Sequence, residues 1–167
     1  MSDRIVEAVI EVPRGSQNKY EMDKATGRIV LDRVLYSPMF YPGEYGYLEG
    51  TLSEDGDPLD VLVLSTCPTF PGCRVPVRVV GLLRMADEKG LDEKILGVVA
   101  VDPRWDGVQT LEDVPEHIRK EIAHFFQRYK ELEGKEVQVH GWDGPEAAMK
   151  MIAEARERYA RQQAGGK

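Results

Sequence analysis

The 167-residue chain is predicted to be a mainly β, α+β domain, on three observations. From Ile5 to about Leu111, short β-prone runs alternate with Gly, Pro and Asp turns, the pattern of a compact barrel or sandwich. In the last third the apolar spacing changes to the helical period. The length is that of one ordinary domain and no linker, repeat or low-complexity stretch divides it, so residues 1–167 are read as a single domain.

Taken in order, the expected strands are Ala8–Val12, Lys19–Met22, Arg28–Tyr36, Tyr45–Glu49, Val61–Leu64, Arg74–Met85 and Lys94–Val101. In PEHIRKEIAHFFQRYKEL, Ile118, Ile122, Phe125, Tyr129 and Leu132 recur at helical spacing. Asp113 is the expected N-cap, with Glu116 completing a capping box. A second helix is expected from Pro145 to about Arg161, with Asp143 near its start and Ala148, Ile152, Ala155 and Tyr159 along one face. The tail QQAGGK is expected to fray.

With 42% hydrophobic and 31% charged residues, the composition is that of a globular protein. A net charge of -7 disfavours a nucleic-acid partner, which needs a basic surface. No apolar run approaches the ~20 residues of a membrane span, and MSDRIVEAVIEVP lacks the regions of a signal peptide, so a cytoplasmic location away from membranes is expected. Cys67 and Cys73 carry no metal-ligand spacing and read as reduced thiols.

Chemistry concentrates in two acidic loops. DGDPLD supplies Asp55, Asp57 and Asp60, and DEKGLDEK supplies Asp87 and Asp92 beside Lys94. So much negative charge on a rigid frame repels itself unless cations neutralise it, which points to a hard divalent metal. Solvated turns are the alternative for each loop alone. An EF-hand is rejected, because Asp60 replaces the glycine at position six and Thr66 the glutamate at twelve. Mg²⁺ keeps several waters and is bound through one or two carboxylates plus phosphate oxygens, so the metal in turn points to a phosphate substrate.

Glu11 interrupts an apolar strand and needs a metal or a cation if buried. Strand alternation sends Lys19 and Glu21 to one face and Tyr20 to the other, and places Arg33 in a row with Ile29, Leu31 and Leu35. A guanidinium there pairs with an internal carboxylate or reaches a phosphate. Tyr41, Tyr45 and Tyr47 are packing residues by default. Tyr129 lies on the helical stripe, whereas Lys130 does not, so packing explains only the tyrosine. His117, His124 and His140 show no ligand spacing.

These residues, in this order, resemble the soluble family I inorganic pyrophosphatases of bacterial type. The resemblance is carried by DGDPLDV together with IEVP, NKYEMD, LDRVLY, MFYPGEYGYLEGTL, DEKGLDEK, IAHFFQRYKELE and the GW at 141–142. It implies a five-stranded closed barrel of the oligonucleotide-binding type with two flanking helices and a site at one barrel mouth. It implies several Mg²⁺ ions, replaceable by Mn²⁺ or Zn²⁺, and a homo-oligomer, a hexamer. Asp55, Asp60 and Asp92 would hold the tightest ion, with Asp60 bridging to a second, while Asp87 and Glu11 would ligate ions arriving with substrate. Lys19, Arg33, Tyr45, Tyr129 and Lys130 would bind phosphate, with Lys94 and Tyr41 close by and Glu21 in the polar network among them. Asp57 would lie nearest the attacking water, although Asp57 and Asp92 both stay open as the general base.

The expected reaction is hydrolysis of pyrophosphate to two orthophosphates. A water bridging two Mg²⁺ ions is acidified to near neutrality, so no strongly basic side chain is needed. Positioning and electrostatics carry phosphoryl transfer, and no Ser, Cys or His nucleophile arrangement calls for a covalent intermediate. The rivals are a nucleic-acid-binding barrel and a hydrolase of nucleotide diphosphates.

Overall fold

The computed structural model describes residues 4–165. Its strands are β1 (Ile5–Val12), β2 (Asn18–Asp23), β3 (Arg28–Val34), β4 (Glu44–Leu48), β5 (Leu59–Leu64), β6 (Arg74–Asp87), β7 (Gly90–Leu91), β8 (Lys94–Val99) and β9 (Gln138–Asp143). The helices are α1 (Glu116–Arg128) and α2 (Pro145–Gly165). The result is the expected mainly β sheet with two helices in the last third.

Strand pairing runs β1–β4–β5–β8–β6, and β6 pairs in addition with β1. All these pairs are antiparallel except β5–β8, where Asp60 stands opposite Lys94. The strand β6 is long enough to serve β1, β8, β7 and β9, with a register shift between Val79 and Gly81. By contrast, β2 and β3 form a separate two-stranded sheet.

Alternation along β5 separates two cores. Leu62 and Leu64 join Tyr41, Tyr45 and Leu96 beneath α1, which contributes Ile122, Phe125 and Phe126. Val61 and Val63 join Val75, Val77 and Ile95 with Ala148, Ile152 and Ala155 of α2. Both faces of the sheet are therefore covered, which is why these strands read as nearly continuous apolar runs. Gly46 allows β1 and β4 to approach closely, because a Cβ there would overlap the carbonyl oxygen of Val9.

Several expectations need correction. Asp113 does not cap α1, whose N-cap is Pro115; its carboxylate accepts hydrogen bonds from the amides of Gln109 and Thr110 (both 3.0 Å), closing a 3₁₀ turn at Leu111–Asp113. Leu132 falls beyond α1 and is 67% exposed, and Tyr159 lies at the edge of the α2 stripe, 37% exposed. Much of the tail expected to fray is helical, since α2 runs to Gly165; residues 166–167 lie outside the described part. The row shared by Arg33 is not an apolar interior, because Leu31 is 54% exposed. Neither β7 nor β9 was expected.

Candidate active site

Lys94 is the centre of the acidic side. It is buried on β8, with its ammonium 2.7 Å from Asp60 Oδ2, 3.0 Å from Asp92 Oδ1 and 2.8 Å from the Tyr45 hydroxyl. Parallel pairing of β5 with β8 sets Lys94 beside Asp60, and β4 brings Tyr45 from the opposite edge of β5. Burial disfavours the charged form of this lysine, but the Asp60 and Asp92 carboxylates and the Tyr45 hydroxyl oxygen outweigh it and hold its pKa well above the usual value.

Asp55, Asp60 and Asp92 line one cavity of about 160 Å³, together with Glu54, Glu93 and residues of α2. Burial, then the neighbouring carboxylates Asp57, Asp92 and Asp60, push the Asp55 carboxyl up against the opposing effect of its hydrogen bond from the Asp57 amide. Asp57 is exposed at the loop tip, and that amide donates to Asp55 Oδ1 at 3.0 Å. Among the described residues, no three His, Cys, Asp or Glu side chains already converge on one point suited to an ion. Asp60 and Asp92 do converge as a pair on one cation, the Lys94 ammonium. Two hard oxygen ligands with room for water fit the habit of Mg²⁺, which rarely takes an all-protein cage.

The cationic side lies on the β2–β3 hairpin and after α1. Arg33 donates through Nε to Glu133 (3.1 Å) and through Nη1 to Asp32 (2.8 Å). Lys19 Nζ is 3.4 Å from the same Asp32 carboxylate. Burial acts against the Asp32 charge, but Lys19 and Arg33 together hold its carboxyl below the ordinary range. Lys130 Nζ lies 3.5 Å from Asp87, linking the end of α1 to the second acidic loop. Glu11 accepts a hydrogen bond from the Met22 amide at 2.8 Å, and burial raises its carboxyl pKa.

Tyrosines fill the space between. Tyr129 is pushed up to about 12, chiefly by burial, with Lys94, Asp92, Asp60 and Arg33 contributing smaller opposing effects. Tyr41 packs tilted against Phe125, with ring centroids 4.8 Å apart, and its buried hydroxyl has no hydrogen-bond partner among the described residues. Glu21 is exposed and outside the ion pairs described above, and the register shift after Lys19 breaks the simple alternation. Asp32 and Glu133 were missed by sequence reasoning. The available signals were an aspartate beside Arg33 and a glutamate three residues after Lys130.

The family model for inorganic pyrophosphatase matches residues 8–160. The chain belongs to the inorganic pyrophosphatase family. As an inorganic pyrophosphatase family member it is a hydrolase of the inorganic diphosphatase class. It is 59% identical over 160 residues to the inorganic pyrophosphatase of Geobacillus stearothermophilus, covering 96% of this chain and 97% of that one. The crystal structure of the Thermus thermophilus inorganic pyrophosphatase superposes with a TM-score of 0.92 at 56% identity, covering 94% of this chain and 92% of that one. The Helicobacter pylori inorganic pyrophosphatase gives 0.91 at 41% identity, with 93% and 94% covered.

Proposed function

We propose that this protein hydrolyses inorganic pyrophosphate to two orthophosphates with Mg²⁺, in a site holding several ions and without a covalent intermediate. We read the ring of pairings as a closed five-stranded barrel with the site at one mouth, and the enzyme as a cytoplasmic homo-hexamer. The observation that carries the catalytic reading is the meeting of Asp60, Asp92 and Tyr45 on the buried Lys94 ammonium, with Lys130 paired to Asp87 of the second acidic loop.

Asp55, Asp60 and Asp92 would hold the tightest ion, and Asp87 and Glu11 those that accompany substrate; Mn²⁺ or Zn²⁺ could replace Mg²⁺. When bound, these ions supply charge neutralisation and an acidified water. The chain supplies the rest. Lys19, Arg33 and Lys130 bind phosphate oxygens, and the hydroxyls of Tyr45 and Tyr129 donate to them. Burial keeps those phenols protonated, hence donors, throughout the neutral range. Asp32 and Glu133 aim the Arg33 guanidinium, leaving its remaining N–H groups for substrate. Exposed Asp57 can take a proton from water and pass it to solvent, whereas Asp92 is already engaged by Lys94. This favours Asp57 as the base.

The test is phosphate release from pyrophosphate and from ATP, with Mg²⁺, with Ca²⁺ and with chelator. Fast release from pyrophosphate with Mg²⁺ alone is expected, with Ca²⁺ inhibiting through its larger radius and looser coordination. Preference for ATP, or full activity in chelator, would sink the assignment.

A further inference from the structure

The loop bearing Asp55 and Asp57 is fastened to the far end of the chain. Leu52 commits both of its backbone polar groups to α2: its amide donates to the Ala155 carbonyl at 3.0 Å, and its carbonyl accepts from Arg158 Nη1 at 2.6 Å. Next to it, the buried Thr51 hydroxyl donates to the Leu48 carbonyl at 2.5 Å and accepts from the Leu59 amide at 3.0 Å, closing the base of the loop. The loop is also closed on itself, with the Ser53 amide donating to the Asp57 carbonyl at 2.7 Å and the Gly56 amide to the Ser53 carbonyl at 3.1 Å. A unit so tied internally moves as one body. Its tilt is then set by its attachments, Thr51 to the sheet and Leu52 to α2.

Arg158 is half-buried and lines the same cavity as Asp55, Asp60 and Asp92. We propose that Arg158 is a positioning residue for the metal-binding loop, fixing the direction of the Asp55 and Asp57 carboxylates through the Leu52 carbonyl without touching substrate. A guanidinium suits the task, being permanently charged and planar, so its bond to a carbonyl is both strong and directional. The proposal rests on the assignment of Asp55 as a metal ligand. Partners one step removed from a ligand set its geometry, and losing them typically weakens metal affinity about 10- to 100-fold.

The discriminating variant is Arg158→Met, which retains an aliphatic stem but no donor. Mg²⁺ affinity is measured by calorimetry in the absence of substrate, beside the melting temperature in chelator and the kcat and KM for pyrophosphate at saturating Mg²⁺. Affinity for Mg²⁺ is expected to fall by about tenfold or more. The KM for pyrophosphate at saturating Mg²⁺ stays near wild type, and Arg158→Lys restores most of the affinity. Wild-type Mg²⁺ affinity in Arg158→Met overturns the proposal even if the melting temperature drops, since the arginine then only fastens the helix. Should that variant fail to fold, Arg158→Gln is read in the same way. If the wild-type protein itself neither binds Mg²⁺ nor releases phosphate, the functional reading and this proposal fall together; an active wild type beside an unaltered variant sinks the proposal alone.

Discussion

The two sides of the site are mounted on unlike parts of the sheet. Asp60, Lys94 and Tyr45 stand on β4, β5 and β8, where every residue of β4 is buried and each strand is paired on both edges. Lys19 and Arg33 stand on β2–β3, which pair only with each other and leave Val30 and Leu31 46% and 54% exposed. Regions with few buried apolar contacts open at lower free energy than core strands. Asp60 is thus held by doubly paired, packed strands, and the hairpin cations by ion pairs to Asp32 and Glu133. One side is a fixed frame, while the other rests on fewer buried contacts and on its ion pairs.

The comparison breaks most readily at Asp60. Asp60→Asn is expected to lower kcat more than about 100-fold at saturating Mg²⁺, because it removes a charged ligand and half of the Lys94 cradle. Near-normal turnover would mean that the fixed side is not where the metal acts. Gly46→Ala attacks the frame itself and is expected to cost about 3 kcal/mol in denaturant unfolding, by forcing β1 from β4. An alanine there that leaves stability unchanged would show the frame to be soft. Lys19→Ala is expected to raise KM for pyrophosphate about tenfold while Mg²⁺ affinity holds, matching the loss of one charge-assisted hydrogen bond. An unchanged KM and kcat would remove the hairpin from substrate binding.

The effect confined to alkaline pH concerns Tyr129. With a folded-state pKa near 12 against an unfolded value near 10, it contributes stability that is complete below pH 10 and lost as pH rises through 12. That loss amounts to about 1.4 kcal/mol per pH unit at most. Tyr129→Phe is expected to flatten that alkaline limb; a loss of unfolding free energy between pH 10 and 12 equal to wild type would assign it to Tyr41 and Tyr45, also raised by burial.

The strand segments and the acidic loops were legible because alternation, turn residues and charge clusters are local properties. What escaped depends on register between distant segments. Nothing in ELEGK shows that Glu133 reaches Arg33, since they meet only when the turn after α1 packs against the hairpin. Asp113 was a plausible cap on spacing alone, but Pro115 already starts the helix and leaves the aspartate to close the preceding turn. The short β9 was missed because QVHGWD is polar and interrupted by glycine, and it forms only on the edge that β6 offers. Lys94 opens an expected strand at the end of the acidic loop, where local sequence says nothing of its burial. Only the pairing of β8 with β5 shows that its ammonium is buried between Asp60 and Asp92.

That pairing also fixes when the site comes into being during folding. Parallel strands cannot be joined by a tight turn, and residues 65–93, which include β6, separate β5 from β8 in sequence although the two pair directly. Contacts between residues so far apart in the chain form late, after local hairpins have closed. Recovery of enzymatic turnover on dilution from denaturant is therefore expected to report the β5–β8 pairing, lagging any optical signal from the early hairpins.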